Sequence, residues 1–396
     1  MNEAVNSRAY ELGVEPSGIR ELFAYGLARK AEIGEEKVFD FSIGNPSIPA
    51  PDEVRKAIVD LSSLPATALH GYPPAQGYPS TREAVASNLR KRFDFPASAD
   101  CVYMTCGAAA SLEITLSAIS NPGDEVIVIA PFFPEYRIFI GTPGCKLIAV
   151  AARESDFQID IEAVSAAITP NTKANIINTP NNPTGAVYTR ENLEELARVL
   201  HEKEAEFGNK IYLISDEPYR ELTYGAQVSF VPSIYDRTII CYSWSKSLSL
   251  PGERIGYIYV SDTMDNAKDV YYAVCGAGRL LGFVCAPGFF QRVIEKCIDV
   301  PTDVEAYRVN REILANGLRE LGYTIVEPDG AFYLWVKALE PDAKAFMEHA
   351  KKYELLIVPS DGFGCSGWVR LSYCVSKDTI VNSLPAFAKL MEDYKN

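Results

Sequence analysis

The groups best suited to chemistry gather in one stretch, Thr238-Ile239-Ile240-Cys241-Tyr242-Ser243-Trp244-Ser245-Lys246, which continues to Gly252-Glu253-Arg254-Ile255-Gly256. It reads as a buried strand, a small polar loop holding one lysine, and an arginine that opens another apolar run. A lysine just past a buried strand is partly desolvated, which lowers its pKa and frees its amine as a nucleophile. The hydroxyls of Ser243 and Ser245 and the cation of Arg254 suit a phosphate beside it. A carbonyl cofactor with a phosphate tail, pyridoxal phosphate, would use every one of these groups. Taken alone, the stretch reads equally well as a surface loop with a solvated lysine, because most lysines are exposed.

The elements that must position this loop are legible upstream. From residue 100 to 260, short β-branched runs alternate with helical segments. Strands are expected at Val102–Thr105, Glu125–Ala130, Lys146–Val150, Ala174–Asn178, Ile211–Ser215, Thr238–Tyr242 and Arg254–Val260. Helices are expected at Ala108–Ser120, Ile161–Ile168 and Arg190–Phe207. This alternation indicates an α/β chain whose mostly parallel sheet is sandwiched by helices. Ligands of such sheets bind beyond the carboxyl ends of the strands. The residues just past each strand are therefore informative. Cys106-Gly107-Ala108-Ala109 opens a helix with small residues and suits an anion on free N–H groups. Pro131-Phe132-Phe133-Pro134 offers aromatics held by prolines. Thr179 to Gly185 brings the amide of Asn182, Asp216 to Tyr219 brings a carboxylate and a phenol, and Ser243 to Lys246 brings the lysine. Singly these are ordinary turns and helix starts; together they converge on one rim.

The flanks complete the plan. Helices are expected from Ser17, with Ser17 as N-cap, over Pro51–Ser63 and over Thr81–Arg92, and a strand over Lys37–Ile43. Between the latter two helices, His70-Gly71-Tyr72-Pro73-Pro74-Ala75-Gln76-Gly77-Tyr78-Pro79 is a loop fixed by its prolines and glycines. The remainder reads as helix Val304–Leu321, strand Ala331–Lys337, helix Asp342–Tyr353, strands Leu355–Val358 and Val369–Tyr373, and helix Thr379–Tyr394. A large domain over 51–290 and a small α/β domain made of 1–50 and 291–396 are expected. Arg370 lies mid-strand between Val369 and Leu371; if those two face the core, Arg370 faces the other side.

Composition excludes several classes. The chain has 396 residues, 47% of them hydrophobic, and a formal net charge of -14. That size predicts about two domains. That charge disfavours nucleic acid and anionic membrane as partners. Nine cysteines without a C-x-x-C pair fit reduced thiols in a cytoplasmic protein. The three histidines, His70, His201 and His349, lack metal-ligand spacing. The N-terminus lacks a basic-then-apolar signal pattern, and no apolar run reaches membrane-spanning length.

Together these motifs resemble the fold-type I, pyridoxal-phosphate-dependent aminotransferases of class I/II, over nearly the whole chain from Gly44-Asn45-Pro46 to Arg370. The most specific parts are Asn178-x-Pro180-x-Asn182-Pro183-Thr184-Gly185, Asp216-Glu217-x-Tyr219, Ser243-x-Ser245-Lys246 and Gly252-x-Arg254-x-Gly256; Tyr72-x4-Gly77-x4-Arg82 is another matching element. The resemblance implies that Lys246 forms the Schiff base and shuttles the proton. It implies Asp216 as the partner of the pyridine nitrogen, keeping the ring an electron sink. Asn182 and Tyr219 are then donors to the ring's phenolic oxygen that lower the imine pKa, and Phe133 stacks on the ring. Gly107, Ala108 and Ala109 with Ser243, Ser245 and Arg254 form the phosphate cup. Tyr72 reaches the phosphate of a neighbouring subunit, which implies a homodimer with shared sites. Arg370, helped by the Gly44 amide and Asn182, clamps the substrate α-carboxylate. Two departures stand out: Cys106–Ala109 supplies no hydroxyl, and the stacking residue is Phe rather than Trp or Tyr.

The same scaffold hosts other reactions. A clamped carboxylate favours breaking Cα–H, so Arg370 argues against decarboxylation. The leading expectation is ping-pong transfer of an amino group between an L-amino acid and a 2-oxo acid, with an aspartate or aromatic donor. A C–S β-lyase is the alternative, and a ligand-sensing regulator on the same scaffold is a further one. Arg279, in Gly276-Ala277-Gly278-Arg279, falls one residue from the place where aspartate-type members bind a distal carboxylate; a surface or interface arginine is the competing reading.

Overall fold

The computed structural model describes residues 5–14 and 18–395; the expected cap Ser17 lies outside them. The chain forms two units, one of Pro46–Ala306 with Asp329–Ala331, the other of Met1–Asn45, Tyr307–Pro328 and Phe332–Asn396. The expected boundary at 290/291 falls inside the helix Gly288–Cys297, whose Val293 and Ile294 are buried in the core of the larger unit.

The first strand, β1 (Phe39–Asp40), is shorter than the Lys37–Ile43 expected. The larger unit is built on β2 (Val102–Thr105), β3 (Glu125–Ala130), β4 (Lys146–Ala151), β5 (Thr172–Asn178), β6 (Tyr212–Asp216), β7 (Thr238–Ser243) and β8 (Gly256–Val260). Their order across the sheet is β2-β8-β7-β6-β5-β3-β4. All neighbours are parallel except β8, which is antiparallel to both β2 and β7. β8 begins at Gly256 rather than at Arg254, because Arg254 adopts a left-handed conformation with φ 51°.

These runs become strands because both faces are covered. Alternate residues point to opposite sides. Ile214, Ile239, Cys241 and Ile258 enter one apolar core with the helix Ala108–Ile119. Ile240, Tyr242, Tyr257 and Tyr259 enter a second core on the reverse face. The helix Arg190–Phe207 has the expected limits, set by Thr189, whose hydroxyl accepts from the Asn192 amide, and by left-handed Gly208. Such a cap contributes about 1 kcal/mol.

Besides the short helices Ser7–Val14, Ala66–His70 and Trp244–Ser247, three helices of the larger unit were not expected: Tyr136–Gly141, Ala267–Leu280 and Gly288–Cys297. The second contains Gly276 and Gly278, which lower helix propensity. Gly278 has a packing reason: a β-carbon there would stand 2.2 Å from the Tyr103 hydroxyl.

The smaller unit holds β9 (Tyr333–Lys337), β10 (Leu355–Leu356), β11 (Val358–Pro359) and β12 (Trp368–Ser372). β11-β12-β9 form an antiparallel sheet, and β1 pairs in parallel with β10. The helix Lys377–Asp393 starts at Ser376, whose hydroxyl accepts from the Thr379 amide. No helix among the described residues is long and apolar enough to cross a membrane.

Candidate active site

The register of the large sheet brings the strand ends into line. Asn178 pairs with Asp216, and Asp216 with Cys241, so β5, β6 and β7 end on one rim. Gly256 stands opposite Ser243 on one side and Thr105 on the other. The expected cofactor residues of β2, β5, β6, β7 and the start of β8 thus fall on one edge of one unit.

Asp216 is the most unusual group there. It is 4% exposed. Its Oδ2 accepts a 2.6 Å hydrogen bond from the Tyr136 hydroxyl. Its Oδ1 is buried and has no hydrogen-bond partner among the described residues. Burial pushes this carboxyl up to about 7, against the Tyr136 bond, which pulls it down. A buried carboxylate with one satisfied oxygen and one open oxygen is costly unless a donor or cation meets it. Asn178 braces the same corner: its Nδ2 donates to the Asp216 carbonyl at 2.8 Å, and its Oδ1 accepts from the Asn182 amide at 2.7 Å. Asn182 and Tyr219 are both buried.

The lysine sits one turn past β7. Ser243 caps the short helix Trp244–Ser247 by accepting from the Ser245 amide, and the two serine hydroxyls lie 2.6 Å apart. Lys246, in the same turn, is half-buried between Ser245 and Ser247.

Beside it lies an anion cradle. The helix Ala108–Ile119 starts from Gly107, φ 91°, with no side-chain cap, so its first N–H groups are left for another acceptor. A β-carbon on Gly107 would stand 2.8 Å from Nη2 of Arg254, and one on Gly256 would stand 2.2 Å from the Tyr242 carbonyl and 2.9 Å from the Gly107 Cα. Glycine at both positions lets Arg254 and the two backbone segments approach this closely. The segment has no hydroxyl of its own, yet Thr105 and Ser111 flank it. Their hydroxyls hydrogen-bond to each other at 2.7 Å and lie 3.3 and 3.2 Å from the Gly107 carbonyl, to which one of them donates, which braces the turn. Phe133 meets Tyr136 edge-on, with ring centroids 5.7 Å apart.

Tyr136, Thr105 and Ser111 were not singled out from the sequence, and Asn178 was named only as the first residue of a motif, without a role. Tyr136 carried a signal: it lies three residues beyond Phe133, one helical turn onward.

Two expected substrate residues belong to the smaller unit and form a cluster of their own. Arg370 is 2% exposed; its Nη2 donates to the Ser42 carbonyl at 2.6 Å. Its guanidinium lies over the rings of Tyr333 at 4.5 Å and Phe363 at 5.2 Å. Its face of β12 is therefore aromatic and covered. Gly44 abuts the same tyrosine: a β-carbon there would fall 2.0 Å from the Tyr333 hydroxyl. Two other expected residues are solvent-facing. Tyr72 is 92% exposed, on the wall of a shallow pocket shared with Cys106 and Cys285. Arg279 is exposed in the last turn of Ala267–Leu280. No metal-binding cluster occurs among the described residues, and all nine cysteines are free.

The sequence profile described as aminotransferase class I and II matches residues 36–386. A Methanocaldococcus jannaschii protein named probable aspartate aminotransferase is 29% identical over 394 residues, covering 96% of this chain and 98% of that one. An aminotransferase structure from Eubacterium rectale superposes with a TM-score of 0.97 at 50% identity, covering 99% of this chain and all (100%) of that one. Aspartate aminotransferase from Thermus thermophilus, solved with maleate, gives 0.86 at 30% identity, over 95% of this chain and 97% of that one. The chain belongs to the class I and II aminotransferases and has their fold-type I architecture. It is a pyridoxal-phosphate-dependent aminotransferase.

Proposed function

We propose that this enzyme moves an amino group between an L-amino acid and a 2-oxo acid by a ping-pong route, with Lys246 as the lysine that carries pyridoxal phosphate. The observation that carries the assignment is Asp216: a buried carboxyl with Oδ2 held by Tyr136 and Oδ1 open, on the rim that also bears Lys246. A protonated pyridine nitrogen is the partner that geometry suits. Bound there, the cofactor would supply an electron sink for a carbanion at the substrate Cα.

The chain's own residues would then act as follows. Asp216 holds the ring nitrogen's proton, and Tyr136 holds Asp216. Asn182, fixed by Asn178, and Tyr219 donate to the ring's phenolic oxygen. Phe133 covers one ring face. The N–H groups of Gly107, Ala108 and Ala109, with Ser243, Ser245 and Arg254, take the phosphate. With the cofactor held there, Lys246 Nζ would move the proton at the substrate Cα. Arg370, with the Gly44 amide and Asn182, takes the substrate α-carboxylate; a guanidinium pairs with a carboxylate through two parallel hydrogen bonds. If the donor is dicarboxylic, such as aspartate, Arg279 is the residue to take its distal carboxylate; with an aromatic donor it stays a surface arginine.

The enzyme acts as a cytoplasmic homodimer in which Tyr72 reaches the partner's phosphate. What supports the dimer is that Tyr72, at 92% exposure, makes little contact within its own subunit, and that Leu280, Tyr272 and Val284 are also exposed apolar side chains that a partner would cover.

Borohydride reduction of the loaded enzyme, then peptide mapping, tests the assignment. The cofactor mass is expected on the peptide containing Lys246 and missing from Lys246→Ala. Label on another lysine would refute it.

A further inference from the structure

Behind the rim, on the reverse face of the sheet, lies a buried ionic cluster centred on Arg220, which is 5% exposed. Its Nη1 donates to Glu217 at 2.9 Å, its Nε to Glu221 at 3.2 Å and its Nη2 to the Tyr257 hydroxyl at 3.1 Å. Its guanidinium also lies 4.3 Å from the centroid of Tyr242. The Tyr242 hydroxyl donates to Glu221 at 2.9 Å and lies 2.9 Å from the Ser247 hydroxyl.

The placement of these residues in the chain gives the cluster its meaning. All but Glu221 are immediate neighbours of a rim residue: Glu217 of Asp216, Arg220 of Tyr219, Tyr242 of Ser243, Ser247 of Lys246, and Tyr257 of Gly256. Neighbours in a strand point to opposite faces. Tyr242 and Tyr257 accordingly pack in the reverse-face core, while Cys241 and Ile258 pack on the site face. One guanidinium therefore ties together the turns that carry the carboxylate, the phenol and the lysine without touching their working groups.

Charge balance keeps it closed. Burial would push the Glu221 carboxyl up, but Arg220 and Arg92 outweigh it and hold the carboxyl below its ordinary value. Arg92 reaches Glu221 at 2.6 Å. Removing one partner from such a cluster leaves an uncompensated buried charge. A lysine at 220 would keep the charge, but its donors sit on one nitrogen and lack the planar fork that spans Glu217, Glu221 and Tyr257.

We infer that Arg220 is a positioning residue: through Glu221, Tyr242 and Ser247 it fixes Tyr219 and Lys246 relative to each other from behind the sheet. The inference rests on the assignment of those two residues to the cofactor. If Tyr219 lowers the pKa of the lysine–cofactor linkage, loosening it raises that pKa.

The test is a pH titration of the visible band of the loaded protein, with cofactor affinity by equilibrium dialysis and ligand-free melting temperature alongside. Arg220→Lys is the direct variant. Tyr242→Phe is the second, since it deletes one hydroxyl and serves if Arg220→Lys does not fold. Arg237→Lys is the control: Arg237 is also a largely buried arginine, paired with Glu204 at 3.3 Å, but it stands at the opposite end of β7. Both clamp variants are expected to raise the band's pKa by about half to one unit, the shift a weakened hydrogen bond of ordinary net strength produces. Arg237→Lys is expected to lower only the melting temperature. Wild-type band pKa in both clamp variants, or an equal shift in the control, overturns the inference. A wild-type protein that forms no visible band with the cofactor removes the assignment beneath it as well.

Discussion

Tyr136→Phe deletes one oxygen, the donor to Asp216 Oδ2 at 2.6 Å. Both side chains are buried, so water does not replace the lost bond cheaply. A hydrogen bond to an ionised carboxylate contributes about 1.5–3 kcal/mol, which corresponds to roughly one to two pH units. In the ligand-free protein the Asp216 carboxyl, now at about 7, moves upward by that amount. At neutral pH the share of protein presenting a carboxylate to the ring nitrogen falls from about half to between roughly one tenth and one hundredth, and apparent affinity falls with the competent fraction. Cofactor Kd at pH 7 is therefore expected to weaken by about five- to fiftyfold, while the gap narrows as pH rises. Equilibrium dialysis of pyridoxal phosphate against both proteins across pH reads this directly. Equal affinities at neutral pH, or a deficit that does not change with pH, would refute the role given to Tyr136.

The same geometry predicts three further outcomes. Burial raises Asp216 from 3.8 to about 7, so between those values the folded chain keeps a proton that the unfolded chain releases, and stability falls as pH rises. Ligand-free Asp216→Asn should therefore melt higher than wild type above that window and lose its advantage below it; a pH-independent difference in calorimetry would contradict this. Gly107→Ala places a methyl group against Arg254 in a backbone region that only glycine enters readily, at a cost of about 1–3 kcal/mol; cofactor affinity should drop about tenfold or more with secondary structure unchanged by circular dichroism. If Arg279 binds a distal carboxylate, Arg279→Ala should reduce kcat/KM for aspartate by roughly ten- to more than a hundredfold relative to a neutral aromatic donor; equal losses would assign Arg279 to the surface.

The site was legible where local sequence alone fixes position. Asp216, Ser243 and Gly107 each stand at the end of a β-branched run, and the rule that parallel strands carry ligands at their carboxyl ends needs nothing further. Tyr136 was not legible, because its role depends on a contact with a residue eighty positions away. The direction of β8 was equally hidden: an apolar run of five residues reads alike whether it runs parallel or antiparallel, and only pairing with β2 and β7 decides. The helix Ala267–Leu280 was obscured by Gly276 and Gly278, the second of which serves packing under Tyr103. Arg220 was passed over because an arginine inside a turn reads as solvated; its burial comes from two carboxylates and two tyrosines that converge only in the fold.

The most direct test of the whole account is the visible spectrum of the purified, cofactor-loaded protein, recorded alone, after one L-amino acid, and again after 2-oxoglutarate. A yellow band that bleaches with the amino acid and returns with the oxo acid is the predicted result, and the amino acids that bleach it name the donor class. A band that persists while a β-thio amino acid yields pyruvate and ammonia, or no band at all with cofactor in excess, would contradict it.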